Sequence, residues 1–213
     1  MPYQEVATII ARSIMVSGLA TLLALAWSIP VIVKLLATGG RVAKIALDVA
    51  GTLTGIPTVV LGLLLYFLLS RGGPLGFLGI LYSPLAMILG QALLITPYII
   101  YLAVSNLMEG RRNIWELALS LGASKTQAAL TLLQDGVYSL ASVVVVAFNR
   151  AVGELGIALM LGGNIKGFTR VMTTAIALEV SKGEYELALT LGGALLAIVL
   201  PISIAITTIG KKI

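Results

Sequence analysis

Neither histidine nor cysteine occurs in this 213-residue chain. Their absence removes thiol chemistry, Cys/His metal sites and any histidine-based catalytic triad. It leaves the redox compartment open, because a chain without thiols is indifferent to it. Charge is nearly as scarce. Only 11% of the residues are Asp, Glu, Lys or Arg, against about 25% in a typical soluble domain, so the polar surface needed to cover a water-exposed globule is missing. What is present instead is apolar: 59% hydrophobic residues and a mean hydropathy of +1.06. The net charge of +5 is spread around the ends of apolar runs, a pattern of membrane orientation rather than of nucleic-acid binding.

Charge-free runs cover residues 13–33, 49–70, 72–108 and 187–210, and each exceeds the roughly 20 residues a spanning helix needs or comes close to it. The pattern predicts an all-α integral membrane protein with five spans, at about 8–37, 43–69, 85–107, 137–161 and 187–209, forming one membrane domain over 1–213. No internal repeat or low-complexity tract is visible. The first apolar run exceeds the ~7–15-residue core of a signal peptide and reads as a retained span. The segment 171–180 is apolar but too short to cross, and reads as a short or re-entrant helix.

Short-loop lysines and arginines set orientation. With the N-terminus outside, the inner segments carry Lys34, Arg41, Lys44, Arg111, Arg112, Lys125, Lys211 and Lys212, and the outer ones Arg12, Arg71, Lys166, Arg170 and Lys182. The larger inner set predicts N-out and C-in in the cell membrane, with residues 107–136 cytoplasmic and 163–186 outside.

Between the third and fourth spans lies a polar island, Asn113-Ile-Trp-Glu-Leu-Ala-Leu-Ser-Leu-Gly-Ala-Ser-Lys-Thr-Gln127. Ile114, Leu117, Ala118 and Leu121 recur at i, i+3, i+4 and i+7, one apolar helical face. Asn113 with Glu116 matches a capping box, and Ser124 with Gln127 a second one. Gly122 suits the left-handed position that ends a helix. Two short capped helices with an exposed apolar face imply a partner outside the membrane.

Glu116-Leu-Ala118-x-x-x-Gly122 resembles the cytoplasmic coupling loop of ABC-importer permeases, in which Asn113, Glu116, Leu117, Ala118, Leu121, Gly122 and Ala123 would belong to the ATPase-coupling element (loop 111–135). Where that family continues with Ile-x-Leu-Pro, this chain has Leu132-Leu133-Gln134-Asp135, leaving Gly136 to break the chain before the next span. Phe148-Asn-Arg-Ala-Val-Gly-Glu-Leu-Gly156 resembles a segment of molybdate and tungstate permeases, and Ile56-Pro-Thr-Val-Val-Leu-Gly62 is similar to their proline-bearing second span. The run from Gly162 to Ile176 resembles the tungstate branch.

The resemblance implies the type I ABC-importer permease fold and a homodimer with the substrate path on its two-fold axis. It also implies a separate ATPase subunit that uses ATP, an extracytoplasmic binding protein, and a tetrahedral oxyanion as substrate, tungstate first and molybdate or a sulfate-like anion next. The chain itself is expected to bind no cofactor or metal and to catalyse nothing.

Arg150 and Glu154 are the only charges in the fourth span and sit four residues apart, on one helical face. A charge at the bilayer centre costs roughly 2.5–3.5 kcal/mol on insertion scales, which the two can partly offset for each other. They read either as a structural ion pair or as positive potential for an anion path. Gly51, Gly55, Thr58 and Gly62 form a small-residue stripe, read as close helix packing or path lining. Gln91, Tyr98 and Ser105 form a polar face that either ties helices together or meets water. Pro30, Pro57, Pro97 and Pro201 predict kinks. The run Gly162-Gly-Asn-Ile-Lys-Gly-Phe-Thr169 nearly spells a phosphate-binding loop, but Phe168 stands at the essential lysine position, so no ATP site is expected here.

Two other classes compete. An ATPase-independent transporter or channel would show an inverted repeat and helices broken at the midplane, neither of which the sequence displays. A membrane enzyme would have to work with a single buried carboxylate, Glu154.

Overall fold

The computed structural model describes residues 3–110 and 112–210, with side chains from 4–108 and 113–205. Arg111, the Arg112 side chain, Lys211 and Lys212, all used above to argue orientation, lie outside the described set. Among the described residues every regular element is helical: α1 (Tyr3–Thr38), α2 (Gly40–Leu53), α3 (Thr58–Leu69), a 3-10 turn (Gly76–Leu78), α4 (Pro84–Gly110), α5 (Arg112–Ser120), α6 (Lys125–Asp135), α7 (Val137–Val152), α8 (Gly156–Gly162), α9 (Met172–Lys182) and α10 (Tyr185–Gly210).

Three helices, α1, α4 and α10, are long and apolar enough to cross a membrane. Up to five crossings result if two bent pairs, α2 with α3 and α6 with α7, each count as one. The expected second span is therefore not a single helix. Pro57 lacks a backbone N–H and disfavours helix at the residue before it, so α2 stops at Leu53 and α3 leaves at 98° to it. The expected fourth span is also broken. Helix α7 ends at Val152, and α8 starts afresh at Gly156. Broken helices, which the sequence alone did not display, are thus a feature of this fold, and they no longer separate a secondary transporter from other readings. Pro30, Pro97 and Pro201 remain inside α1, α4 and α10.

The core is built where α1 meets α4. Ala20, Ala24, Ile32 and Leu36 of α1 pack with Ala92, Ile95, Ile99 and Ala103 of α4, and Ala129 and Leu132 of α6 and Val143 and Ala147 of α7 close the cluster. Alanine at so many contact positions lets the helices approach closely, the main source of helix association where lipid is as apolar as the protein. Large apolar side chains such as Leu22, Val60, Phe67 and Leu196 point outward, as a bilayer allows. Helix α9 is too short to span and packs on α10.

Gly90 on α4 marks the tightest approach of α8. A Cβ there would stand 2.5 Å from Leu161 Cδ1 and 2.7 Å from Ile157 Cγ2. Overpacking of a filled contact costs about 1–3 kcal/mol. Gly90→Val is therefore expected to lower the thermal unfolding midpoint of the detergent-solubilised protein by several degrees, whereas Gly192→Val, where no atom lies within 4 Å of the added Cβ, is expected to change it little.

Candidate functional site

The two helix breaks meet. At the α2/α3 break, the Tyr98 hydroxyl of α4 donates to the Thr54 carbonyl at 2.7 Å, and the Arg150 guanidinium lies 6.0 Å from the centre of the Tyr98 ring. Arg150 Nη1 also donates to Glu154 Oε2 at 2.9 Å. The other Glu154 carboxylate oxygen accepts the Ile157 amide at 3.2 Å, and its backbone carbonyl accepts the Thr173 hydroxyl of α9 at 2.9 Å. One continuous set of contacts thus joins α2, α4, α7, α8 and α9.

The expectation that Arg150 and Glu154 share a helix face needs correction, because α7 ends at Val152 and Glu154 lies in the break. The ion pair forms nonetheless. Its members differ sharply in exposure: the Glu154 side chain is 2% exposed and that of Arg150 31%. A buried carboxylate held by a guanidinium and an amide leaves the rest of the arginine facing outward.

Beside this pair the first turn of α3 touches the start of α8. A Cβ on Gly156 would lie 3.0 Å from Thr58 Oγ1 and 3.1 Å from the Val59 amide nitrogen, and one on Gly62 would lie 3.3 Å from the Gly156 carbonyl. The small-residue stripe is therefore split in use. Gly62 admits α8, Gly51 admits the Tyr101 ring at 3.0 Å from its would-be Cβ, and Gly55 and Thr58 flank the break. No side chain caps the N-terminus of α3. The positive end of the α3 dipole therefore lies beside the partly exposed Arg150 guanidinium, whose charge is shared with Glu154.

Gln91 behaves differently. It is 2% exposed and accepts a 3.2 Å hydrogen bond from Ser17, tying α1 to α4 outside the Arg150 cluster. Thr54, Gly156 and Thr173 belong to the cluster but were not singled out from sequence. Pro57 was the available signal for Thr54, because a proline frees the carbonyls of the turn before it.

The polar island folds as two short helices. Helix α5 starts at Arg112, immediately after α4 reaches Gly110, so Asn113 is a first-turn residue and not the cap that its spacing to Glu116 predicts. The other local expectations hold. Gly122 has φ +85°, with its amide donating to the Leu119 carbonyl at 3.0 Å and the Ala123 amide to the Ala118 carbonyl at 3.0 Å, the paired bonds of a left-handed helix stop. Ser124 and Gln127 form a reciprocal capping box on α6. Gly136 ends α6 and starts α7 across a 72° bend, in place of a proline. Ile114 and Trp115 pack onto the main core, while Leu117 and Leu121 of the same apolar set are 59% and 79% exposed.

Several cations gather at the two ends of α1. At one end, Lys166 and Arg170 approach Glu5 at 3.2 and 3.8 Å, and Arg12 donates to the carbonyls of Gly167 and Arg170 at 2.7 and 3.0 Å. At the other, Lys34 and Lys125 line one hollow. Among the described residues, no group of three or more acidic, His or Cys side chains could hold a metal.

No family model matches the chain. It is 39% identical to the tungstate uptake system permease protein of Peptoclostridium acidaminophilum over 208 residues, 98% of this chain and 91% of that one. It is 35% identical to a probable anion ABC transporter permease protein of Haloferax volcanii, over 92% of this chain and 87% of the relative. A tungstate uptake system permease protein of Campylobacter jejuni is 42% identical over 159 residues, 74% of this chain and 65% of its own length. Permeases named for sulfate and molybdenum transport stand further off, at 26–28% identity.

Proposed function

Since this chain belongs to the tungstate-uptake branch of the ABC-transporter permeases, we propose that it forms the membrane path through which a tetrahedral oxyanion, tungstate first, enters the cell. The observation that carries this reading is the half-exposed Arg150 beside the uncapped start of α3. Helix α7 begins at Val137, so Arg150 lies roughly 20 Å along it, deep within the bilayer. An arginine there cannot face lipid without severe cost, and irregular backbone at that depth is tolerated only against protein or water. A second copy of the chain on this face, with water between the two, satisfies both requirements and brings two guanidiniums and two helix N-termini toward one axis. A doubly charged anion finds there the positive potential that its desolvation demands. Thr58 and Tyr98 border this path, and Gln91 supports it by fixing α4 on α1.

The coupling surface is α5 with Leu121. Glu116, Leu117, Ala118, Leu121, Gly122 and Ala123, with Asn113 in the first turn, present two exposed leucines on a rigidly capped unit outside the membrane spans. A groove on a separate ATPase subunit covers them and transmits ATP-driven closure, and an extracytoplasmic binding protein delivers the anion at the opposite end. The five crossings are then α1, α2 with α3, α4, α7 with α8, and α10, with α5 and α6 left outside the bilayer, the N-terminus outside and the C-terminus in the cytoplasm.

Two measurements test this. Ser120→Cys and Lys166→Cys, each introduced into a chain free of cysteine, are expected to react oppositely with an impermeant thiol reagent on intact cells: Lys166→Cys labelled, Ser120→Cys protected until the membrane is opened. The reverse result overturns the orientation. Vesicles containing this chain with its co-purifying ATPase and binding protein are expected to accumulate tungstate when ATP is supplied, with molybdate as a weaker competitor. Uptake of an amino acid or a metal cation, and of no oxyanion, overturns the substrate.

A further inference from the structure

A hollow of about 480 Å³ lies between the end of α1 and the start of α6, lined by Pro30, Val33, Lys34, Ala37 and Thr38 of the one and Lys125 and Thr126 of the other. Its walls are divided by chemistry. Pro30, Val33 and Ala37 give an apolar side along α1, while the Lys34 and Lys125 ammoniums and the Thr126 hydroxyl give a polar one. No carboxylate lines it. Among the described residues neither lysine has an acidic partner. Two unpaired cations from two different helices therefore converge on one concavity.

Its depth in the membrane follows from α1. Arg12 and Lys34 bracket the charge-free run 13–33 of that helix. The 22 residue steps from Arg12 to Lys34 correspond to roughly 33 Å of helix, close to the ~30 Å hydrocarbon core. Arg12 is held at one boundary by the carbonyls of Gly167 and Arg170, so Lys34 stands at the other, at the level of lipid headgroups. Arg41 and Lys44 on α2, the next helix after the tight Gly39-Gly40 turn, add exposed positive charge to this end. Basic pockets between helices at this level suit anionic headgroups.

We propose that this hollow is a binding site for an anionic phospholipid, its phosphate between Lys34 and Lys125 and its glycerol and upper acyl chain along Pro30, Val33 and Ala37. The site requires only that the chain lies in a bilayer, and its leaflet follows from the orientation proposed above. Occupancy bridges α1 to α6, the second helix of the polar island, and so clamps that island against the membrane surface.

The test uses the full chain purified in neutral detergent and titrated with short-chain phosphatidylglycerol, with bound lipid counted by native mass spectrometry. Phosphatidylglycerol is expected to bind in a one-to-one complex, and Lys34→Gln with Lys125→Gln to weaken it about tenfold. Arg41→Gln with Lys44→Gln, which removes equal charge at the same end but outside the hollow, is expected to weaken it less than twofold. Ala37→Phe, which fills the apolar side without altering charge, is expected to weaken it severalfold and serves if the double lysine variant does not fold. Equal loss from both double variants means diffuse surface charge and overturns the site. So does phosphatidylcholine binding as well as phosphatidylglycerol. Displacement of the lipid by inorganic phosphate at matching concentration assigns the hollow to a free anion and overturns the lipid. None of these readouts depends on tungstate transport or on an ATPase, so failure here leaves the proposed function standing.

Discussion

Gly122→Val is expected to reduce ATP-driven transport about tenfold or more while leaving the chain inserted at normal levels. The residue sits at φ +85°, and nothing lies within 4 Å of a would-be Cβ, so crowding is not the cause. The cost is conformational: a left-handed backbone costs an L-residue roughly 1–2 kcal/mol, with a β-branched residue worst placed. That strain falls on the two bonds that end α5, Gly122 to Leu119 and Ala123 to Ala118, and so on the position of Leu121. A graded series follows. Asn tolerates this region, Ala does so less and Val least, so activity should rank Gly, Asn, Ala, Val. Transport and substrate-stimulated ATP hydrolysis should fall together along the series if α5 couples the two. Normal coupled transport by the valine variant at normal abundance removes the docking role.

Arg150→Ala alone is expected to do more damage than Arg150→Gln with Glu154→Gln. The single change strands a carboxylate that is 2% exposed, and removing one partner of a buried pair typically costs about 3–5 kcal/mol. Because the arginine itself is 31% exposed, the penalty rests on Glu154 and on the start of α8, whose Ile157 amide that carboxylate receives. The single variant should therefore show a sharply reduced yield of folded protein and a lower unfolding midpoint. The double variant keeps hydrogen-bonding groups at both positions without stranding a charge, and should fold. Its tungstate uptake should nevertheless be slowed severalfold, because the partly exposed guanidinium that an anion can approach is gone while the carboxylate it replaces was buried. Wild-type uptake by the folded double variant would make the pair purely structural and remove Arg150 from the path.

Composition and periodicity sufficed for the membrane class, for the long helices α1, α4 and α10, and for a short helix at 171–180, found as Met172–Lys182, because a bilayer demands long apolar runs and tolerates few alternatives. The local stops were also readable. Gly122, Ser124 with Gln127, and Gly136 act within one helical turn, where neighbouring residues alone set the backbone. Asn113 shows the limit of that reasoning, since α5 already begins at Arg112 and takes Asn113 into its first turn. Apolar runs hide breaks, because lipid accepts the side chains of a bent segment as readily as those of a straight one. Thus 43–69 and 137–161 read as single spans, with only a kink expected at Pro57, and packing set the 98° turn of α3 away from α2 and the restart of α8 at Gly156. The meeting of Thr54, Tyr98, the Arg150–Glu154 pair and Thr173 draws on four separate segments, and outside that pair no spacing rule connects them. Likewise Lys34 and Lys125 were legible only as loop charges of one sign. Their convergence on a single hollow depends on how α6 folds back against α1, a decision made by the tertiary contacts of Ala129 and Leu132 with the core.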